Sequence, residues 1–256
     1  MNKYDIIIIG AGLSGAVLAE RYANELKKKV LIIEKRNHIA GNCYDYVNSD
    51  GILVSKYGAH IFHTSNEEVW KYVQRFSKWS KYQHKVYSKV DDKLVPIPVN
   101  IRTVNTIMGT DIKNSEEMSE WLQNNTEHIE NPKNSEEVAL NRVGKVLYEK
   151  LFKNYTKKQW NRLPSELDPS VLARIPVRDN FNERYFDDPY EGIPINGYTK
   201  LVESMLSNPL IEVRLNTDFF DIRHELQTYE KLFYTGPIDR FYENKYESLE
   251  YRSIKF

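Results

Sequence analysis

A run of four isoleucines, Ile6 to Ile9, passes directly into Gly10-Ala11-Gly12-Leu13-Ser14-Gly15. A helical pattern follows, and a second apolar run, Val30-Leu31-Ile32-Ile33, ends on Glu34. Strand, glycine turn, helix, strand and acid, in that order, make a βαβ unit of the kind that binds a dinucleotide. Gly10 permits the tight turn off the strand, Gly12 lets the backbone approach a pyrophosphate, and Gly15 lets the helix pack close to the strand. The start of that helix offers free N–H groups and a partial positive charge to phosphates. Glu34 is placed to accept hydrogen bonds from a ribose, and its charge disfavours a 2′-phosphate.

The residues after Glu34 bear on which dinucleotide. Lys35-Arg36-Asn37-His38-Ile39-Ala40-Gly41-Asn42 is a basic segment containing a glycine. Flavoproteins of the glutathione-reductase type continue in this way, wrapping the far side of the cofactor, whereas a nicotinamide-binding domain usually proceeds to another helix. FAD is therefore expected rather than NAD, in an α/β, Rossmann-like fold.

Composition narrows the partners. The 36 basic and 36 acidic residues of this 256-residue chain cancel to a formal charge of +0, which predicts no attraction to nucleic acid. No apolar stretch approaches the roughly 20 residues that a bilayer-spanning helix needs. Met1-Asn2-Lys3-Tyr4-Asp5 enters its strand at once, without a signal-peptide pattern. The single cysteine, Cys43, excludes an internal disulfide and suits a reducing cytoplasm. The 18 tyrosines, 10 phenylalanines and 4 tryptophans suit a sugar or nucleotide surface and an ordinary core equally well.

Further along, Ser65-Asn66-Glu67-Glu68 predicts a helix with Ser65 as N-cap, running to about Phe76. Residues 86–90 and 93–97 read as a hairpin turning at Asp91-Asp92. Asn114 and Asn134, each with Glu three residues on, predict two N-caps, with a polar loop over residues 124–133 between the helices. From Val138 the apolar positions keep helical spacing to Leu151, so residues from about 100 to 165 form a helical subdomain. Ile211 to Leu215 and Lys231 to Tyr234 are strand-like and could rejoin the dinucleotide sheet, and residues 249–256 alternate as a half-buried strand does.

Two groups of residues could carry chemistry. His60 and His63, in Tyr57-Gly58-Ala59-His60-Ile61-Phe62-His63-Thr64, are spaced for a metal but lack a third ligand cluster. A histidine-bearing turn after the first βαβ unit is better placed to line a flavin ring. Trp160, Arg174 and Arg178 could stack a base and clamp a diphosphate, or could form a packed surface with solvated arginines.

Residues 34–39, 56–64, Tyr155-Thr156 with Lys158-Gln159-Trp160, Arg174-Ile175-Pro176-Val177-Arg178, Gly197-Tyr198-Thr199-Lys200-Leu201, residues 234–239 and residues 249–253 run in order along the whole chain. On these stretches the sequence resembles the bacterial UDP-galactopyranose mutases. The resemblance implies interconversion of UDP-galactopyranose and UDP-galactofuranose through a flavin N5–sugar adduct on reduced FAD, with no net redox change. It implies cofactor roles for Ser14, Glu34, Lys35, Asn42, His60 and Ile61, with Val213 near the adenine and His63 close to the flavin ring. It implies substrate contacts from His84, Phe152, Tyr155, Thr156, Trp160, Tyr185 and Arg252, and diphosphate binding by Arg174, which with His63 would form the catalytic pair. His84 stands where some relatives carry Asn, and Ala40 where a glycine is common.

It further implies a cytoplasmic homodimer serving cell-surface polysaccharide biosynthesis. The implied domains are 1–80 plus 195–243 for FAD, 99–168 as an inserted helical subdomain, and 81–98 plus 169–194 plus 244–256 as a small antiparallel sheet domain. The family extends beyond the length of this chain, so a C-terminally truncated member holding FAD more weakly is expected. The competing expectations are an FAD-dependent oxidoreductase of the amine-oxidase type and a non-catalytic remnant.

Overall fold

The computed structural model describes residues 4–226, 228–251 and 253. They divide into two compact units, one of residues 1–82 and 188–256, the other of residues 83–187.

The first unit opens with β1 (Ile6–Ile9), α1 (Leu13–Asn24) and β2 (Val30–Ile33). β3 (Asp45–Val47), β4 (Leu53–Ser55), β5 (Phe62–Thr64) and α2 (Glu67–Gln74) follow. The second unit holds β6 (Tyr87–Val90), β7 (Lys93–Pro96), α3 (Ile101–Met108), α4 (Ser115–Asn125), α5 (Ser135–Leu147), α6 (Asn154–Trp160) and α7 (Ser170–Ala173). The chain then returns to the first unit with β8 (Tyr190–Gly192), α8 (Gly197–Met205), β9 (Ile211–Arg214), α9 (Phe219–Ile222), β10 (Lys231–Tyr234) and α10 (Ile238–Phe241).

A four-stranded parallel sheet in the order β10-β1-β2-β9 organises the first unit. The unbroken isoleucine run follows from burial on both faces. Ile6 and Ile8 pack with Ala19 and Ala23 of α1, while Ile7 and Ile9 pack with Leu31, Ile33 and Phe219 on the opposite face. Small residues on α1 let it lie close to the sheet, and Ala16 meets Leu201, Val202 and Met205 of α8. The expected return of residues 211–215 and 231–234 to this sheet is what the strand pairing contains. Antiparallel pairs β3–β4 and β5–β8 complete the unit.

The second unit is one uninterrupted segment with its own core, built from Val95, Ile101, Val104, Met118, Val143, Leu147 and Phe152 among others. Its β6–β7 hairpin turns on Asp91 and Asp92, with φ of 47° and 63°. Two left-handed residues give the turn the twist that adjoining strands require. Asn114 and Asn134 cap α4 and α5, each accepting from the backbone N–H three residues on.

Three sequence expectations are corrected. The N-cap of α2 is Asn66 rather than Ser65: its Oδ1 accepts from the N–H groups of Glu68 and Val69 at 2.8 and 3.1 Å. The helix predicted through Leu151 is interrupted at Gly144 (φ 76°, ψ 169°), where a Cβ would collide with the Asn125 carbonyl. Beyond that break, Tyr148–Lys153 is π-helical. Leu249, Glu250 and Tyr251 form no strand, and Tyr251 is 85% exposed. All three are exposed, so the alternation is not matched by burial on one face; residues 252 and 254–256 lie outside the described residues.

Candidate functional site

A cleft of about 650 Å³ opens at the carboxyl ends of β1, β2 and β10. Gly10, Gly12, Ser14, Glu34, Lys35 and Asn42 line it. This is where open parallel sheets bind ligands. Gly10 has φ 104°, and a Cβ there would collide with the Thr235 hydroxyl, which donates to the Ile9 carbonyl at 2.8 Å. A Cβ on Gly15 would strike the Gly10 carbonyl, so turn and helix touch through bare backbone. Gly12 is the N-cap of α1 and has no side-chain cap, which leaves the first-turn N–H groups for a ligand. A Cβ added to Gly12 would make only an ordinary van der Waals contact, with the Gly41 Cα at 3.8 Å, so unlike Gly10 and Gly15 this position is not closed by a collision within the chain.

Glu34 has a second task that its position alone did not suggest. Its Oε2 accepts from the Ala11 N–H and its Oε1 from the Arg36 N–H, both at 2.9 Å, and the residue is 7% exposed. The carboxylate thus ties the glycine turn to the segment behind it. Each oxygen retains a second lone pair for a ribose hydroxyl. The Arg36 guanidinium donates to Asn42 Oδ1 at 3.0 Å and lies 4.7 Å from the Tyr57 ring centre. Ala40 is left-handed (φ 67°), which gives a physical reason for glycine there in the resembled family.

The far wall comprises Thr217, Asp218, Phe219, Phe220, Tyr234 and Arg240. Of these, sequence reasoning singled out only Tyr234, within a family motif. The usable signal was position: these residues lie at the carboxyl end of β10 or within the few residues after β9 and β10. Burial pushes the Asp218 carboxyl up, but the Phe220 N–H, Arg240 and Lys35 together bring it below the ordinary range. Cys43 also lines the cleft, and burial, reinforced by Asp45, pushes its thiol up, away from the reactive thiolate.

The remaining cofactor candidates do not line this cleft. Val213 turns into the core with Ile6, Ile8 and Ile32. His60 meets the Gly58 carbonyl through Nδ1 at 3.0 Å, and Ile61 is half-buried beside it. His63, on β5, bonds Asp188 through Nδ1 at 2.6 Å. Among the described residues no group of three or more His, Cys, Asp and Glu is arranged to hold a metal ion.

The substrate candidates lie in the second unit, except Arg252, which falls outside the described residues. Phe152 and Thr156 are buried, whereas Tyr155 is 62% exposed. Trp160 ends α6, and Asn161 behind it takes a left-handed cap (φ 55°). Arg174 is exposed at the end of α7 and has no carboxylate partner among the described residues. The Tyr185 N–H donates to the His84 carbonyl at 2.8 Å, and their rings meet edge-on at 5.7 Å.

Comparison with known proteins bears on this arrangement. A sequence-family model described as UDP-galactopyranose mutase matches residues 150–256, and one described as an NAD(P)-binding Rossmann-like domain matches residues 8–76. A probable UDP-galactopyranose mutase of Klebsiella pneumoniae is 38% identical over the whole chain, which covers 66% of that relative. A dTDP-fucopyranose mutase of Escherichia coli is also 38% identical, with 68% covered. The UDP-galactopyranose mutase of Mycoplasma pneumoniae is 32% identical, with 67% covered. The chain belongs to the UDP-galactopyranose mutase family. It spans about two thirds of the length of these relatives.

The fold of a reduced UDP-galactopyranose mutase crystal structure superposes with a TM-score of 0.69 at 18% identity, covering 94% of this chain and 57% of that one. A putative protoporphyrinogen oxidase from Exiguobacterium gives 0.59 at 16% identity, covering 95% and 61%. The fold is thus shared with a mutase and with a protein of a different name, so the family assignment rests on the sequence relatives. No helix among the described residues is long and apolar enough to cross a membrane.

Proposed function

We propose that this chain carries the cofactor site and part of the substrate site of an enzyme interconverting UDP-galactopyranose and UDP-galactofuranose on reduced FAD. The observation that carries this reading is the glycine-walled cleft at the uncapped end of α1 in a member of this family. The residues fit the ADP half of FAD. The first-turn N–H groups of α1 take the pyrophosphate, Glu34 the ribose, and Lys35 and Arg240 add positive charge. The aromatic wall of Phe219, Phe220 and Tyr234 takes the flat base.

When bound and reduced, FAD would supply a nucleophile for the anomeric carbon, with UDP as the leaving group. The chain's own residues hold what leaves. Arg174, with no carboxylate partner among the described residues, is available to pair with the diphosphate, as charge-assisted hydrogen bonding requires. Tyr155 and Trp160 offer aromatic surface to the uridine, and His63, in the first unit, is the candidate acid–base group, with Nδ1 on Asp188. The homodimeric, cytoplasmic reading and the polysaccharide pathway rest on the family resemblance alone.

A second reading has a specific observation behind it. The dTDP-fucopyranose mutase is as similar as the Klebsiella protein, so a thymidine-linked 6-deoxyhexose is the competing substrate. One experiment addresses both. The purified chain, loaded with FAD and reduced with dithionite, is given UDP-galactose or dTDP-fucose, and products are followed by chromatography. Ring contraction of UDP-galactose is expected. Conversion of dTDP-fucose alone selects the second reading. Oxygen uptake with neither conversion selects an oxidase, and loss of yellow colour on gel filtration with no turnover selects a non-catalytic remnant.

A further inference from the structure

We infer that Asp188 is a positioning residue for His63, fixing which imidazole nitrogen carries the proton. The inference rests on the mutase reading only for its consequence in turnover; the geometry stands by itself. His63 lies on β5, in the antiparallel pair with β8. Its neighbour Phe62 packs onto Trp70 and Trp79, with ring centres at 5.9 and 4.9 Å. Alternation along the strand sends His63 to the opposite face. There its Nδ1 stands 2.6 Å from Asp188 Oδ2, and its cross-strand partner is Glu191. An ionised carboxylate only accepts, so Nδ1 is the protonated nitrogen. Nε2 is then the unprotonated nitrogen of the neutral ring.

Both groups are held by rigid parts. The β5–β8 pairing sets the His63 backbone, and stacking of Trp70 on Tyr190 at 5.6 Å braces β8 two residues beyond Asp188. Asp188, bonded to Nδ1, and Glu191, across the strand pair, are charged groups that face the imidazole from these elements. An acid that orients a histidine in this way selects its tautomer and stabilises its cation without contacting substrate.

Asp188→Asn and Asp188→Glu discriminate this from a structural role. Asn keeps the size of Asp but can donate its amide N–H to Nδ1, which favours the opposite tautomer. Histidine-labelled chain is read by 15N NMR, with His63→Gln assigning the signals. Asp188→Asn is expected to move the proton from Nδ1 to Nε2, and Asp188→Glu to keep it on Nδ1. In the reduced, FAD-loaded protein, Asp188→Asn is expected to lower kcat about 100-fold with KM little changed, the size of a lost acid–base contribution. Asp188→Glu is expected to restore most of it.

A nitrogen spectrum that is the same in Asp188→Asn and wild type overturns the inference, as does a loss of cofactor retention or thermal stability matching the loss of kcat. If His63→Gln itself turns over at the wild-type rate, the role given to His63 in the mutase reading fails, and the nitrogen spectra alone decide the Asp188 assignment.

Discussion

Gly15 illustrates how much a single position settles. Its place in the motif predicts close helix–strand packing, and the structure shows the Gly10 carbonyl where a Cβ would go. Backbone cannot move aside as a side chain can. Gly15→Ala is therefore expected to cost about 1–3 kcal/mol, the usual penalty of overpacking, measurable by urea denaturation. An unchanged midpoint would show that α1 can slide. Gly10→Ala adds a backbone penalty, because φ 104° disfavours any side chain, and is expected to cost more. Glu34 shows the limit of reading residues singly. Its ribose role follows from position, but its two backbone acceptances depend on a loop returning past it.

At the scale of elements, two buried acids do work that periodicity cannot reveal. Asp45, on β3, caps α8 from a distance: its carboxylate accepts from the Tyr198 and Thr199 N–H groups at 2.6 and 2.9 Å. Asn196, the local N-cap, makes no side-chain cap bond. Asp45→Ala is thus expected to cost about 1–2 kcal/mol, as loss of a helix cap does, in thermal or chemical unfolding. A loss under a few tenths would mean that Asn196 or water substitutes.

Glu20, fully buried on α1, accepts from Arg21, Asn24 and Tyr72. Burial pushes its carboxyl up, but the hydrogen bonds and the Arg21 charge outweigh this and leave it at about 2, against an ordinary 4.5. A depressed folded-state pKa gives stability that is full above the unfolded value and lost as the proton binds. Stability is therefore expected to fall between about pH 4.5 and 2, and Glu20→Gln to flatten that fall in acid-denaturation curves. An unchanged curve would assign the acid sensitivity to other groups.

For the whole molecule, the units make different demands on the chain. The second is a single segment, Gln83–Asp187, with a core of its own, and is expected to fold when expressed alone, giving a cooperative thermal transition. A non-cooperative melt would show that it depends on the rest of the chain. The first unit is assembled from two distant segments, since β9 and β10 flank strands formed some two hundred residues earlier. FAD bound to it at about 100 times its Kd should add about 2.7 kcal/mol, seen as a higher melting temperature. No shift with FAD would contradict the cofactor reading.

The sequence by itself determined the βαβ unit, the hairpin at Asp91-Asp92, the two Asn caps and the family, because each is written in local spacing or in motifs kept in order. Local spacing is informative because a turn or a cap is completed within a few residues. Only the tertiary structure decided the break at Gly144, the far wall of the cleft, the caps supplied by Asp45, and the pairing of His63 with Asp188. Each joins residues far apart in the chain, and hydrogen bonds and steric exclusion act at a few ångströms in space whatever the separation in sequence.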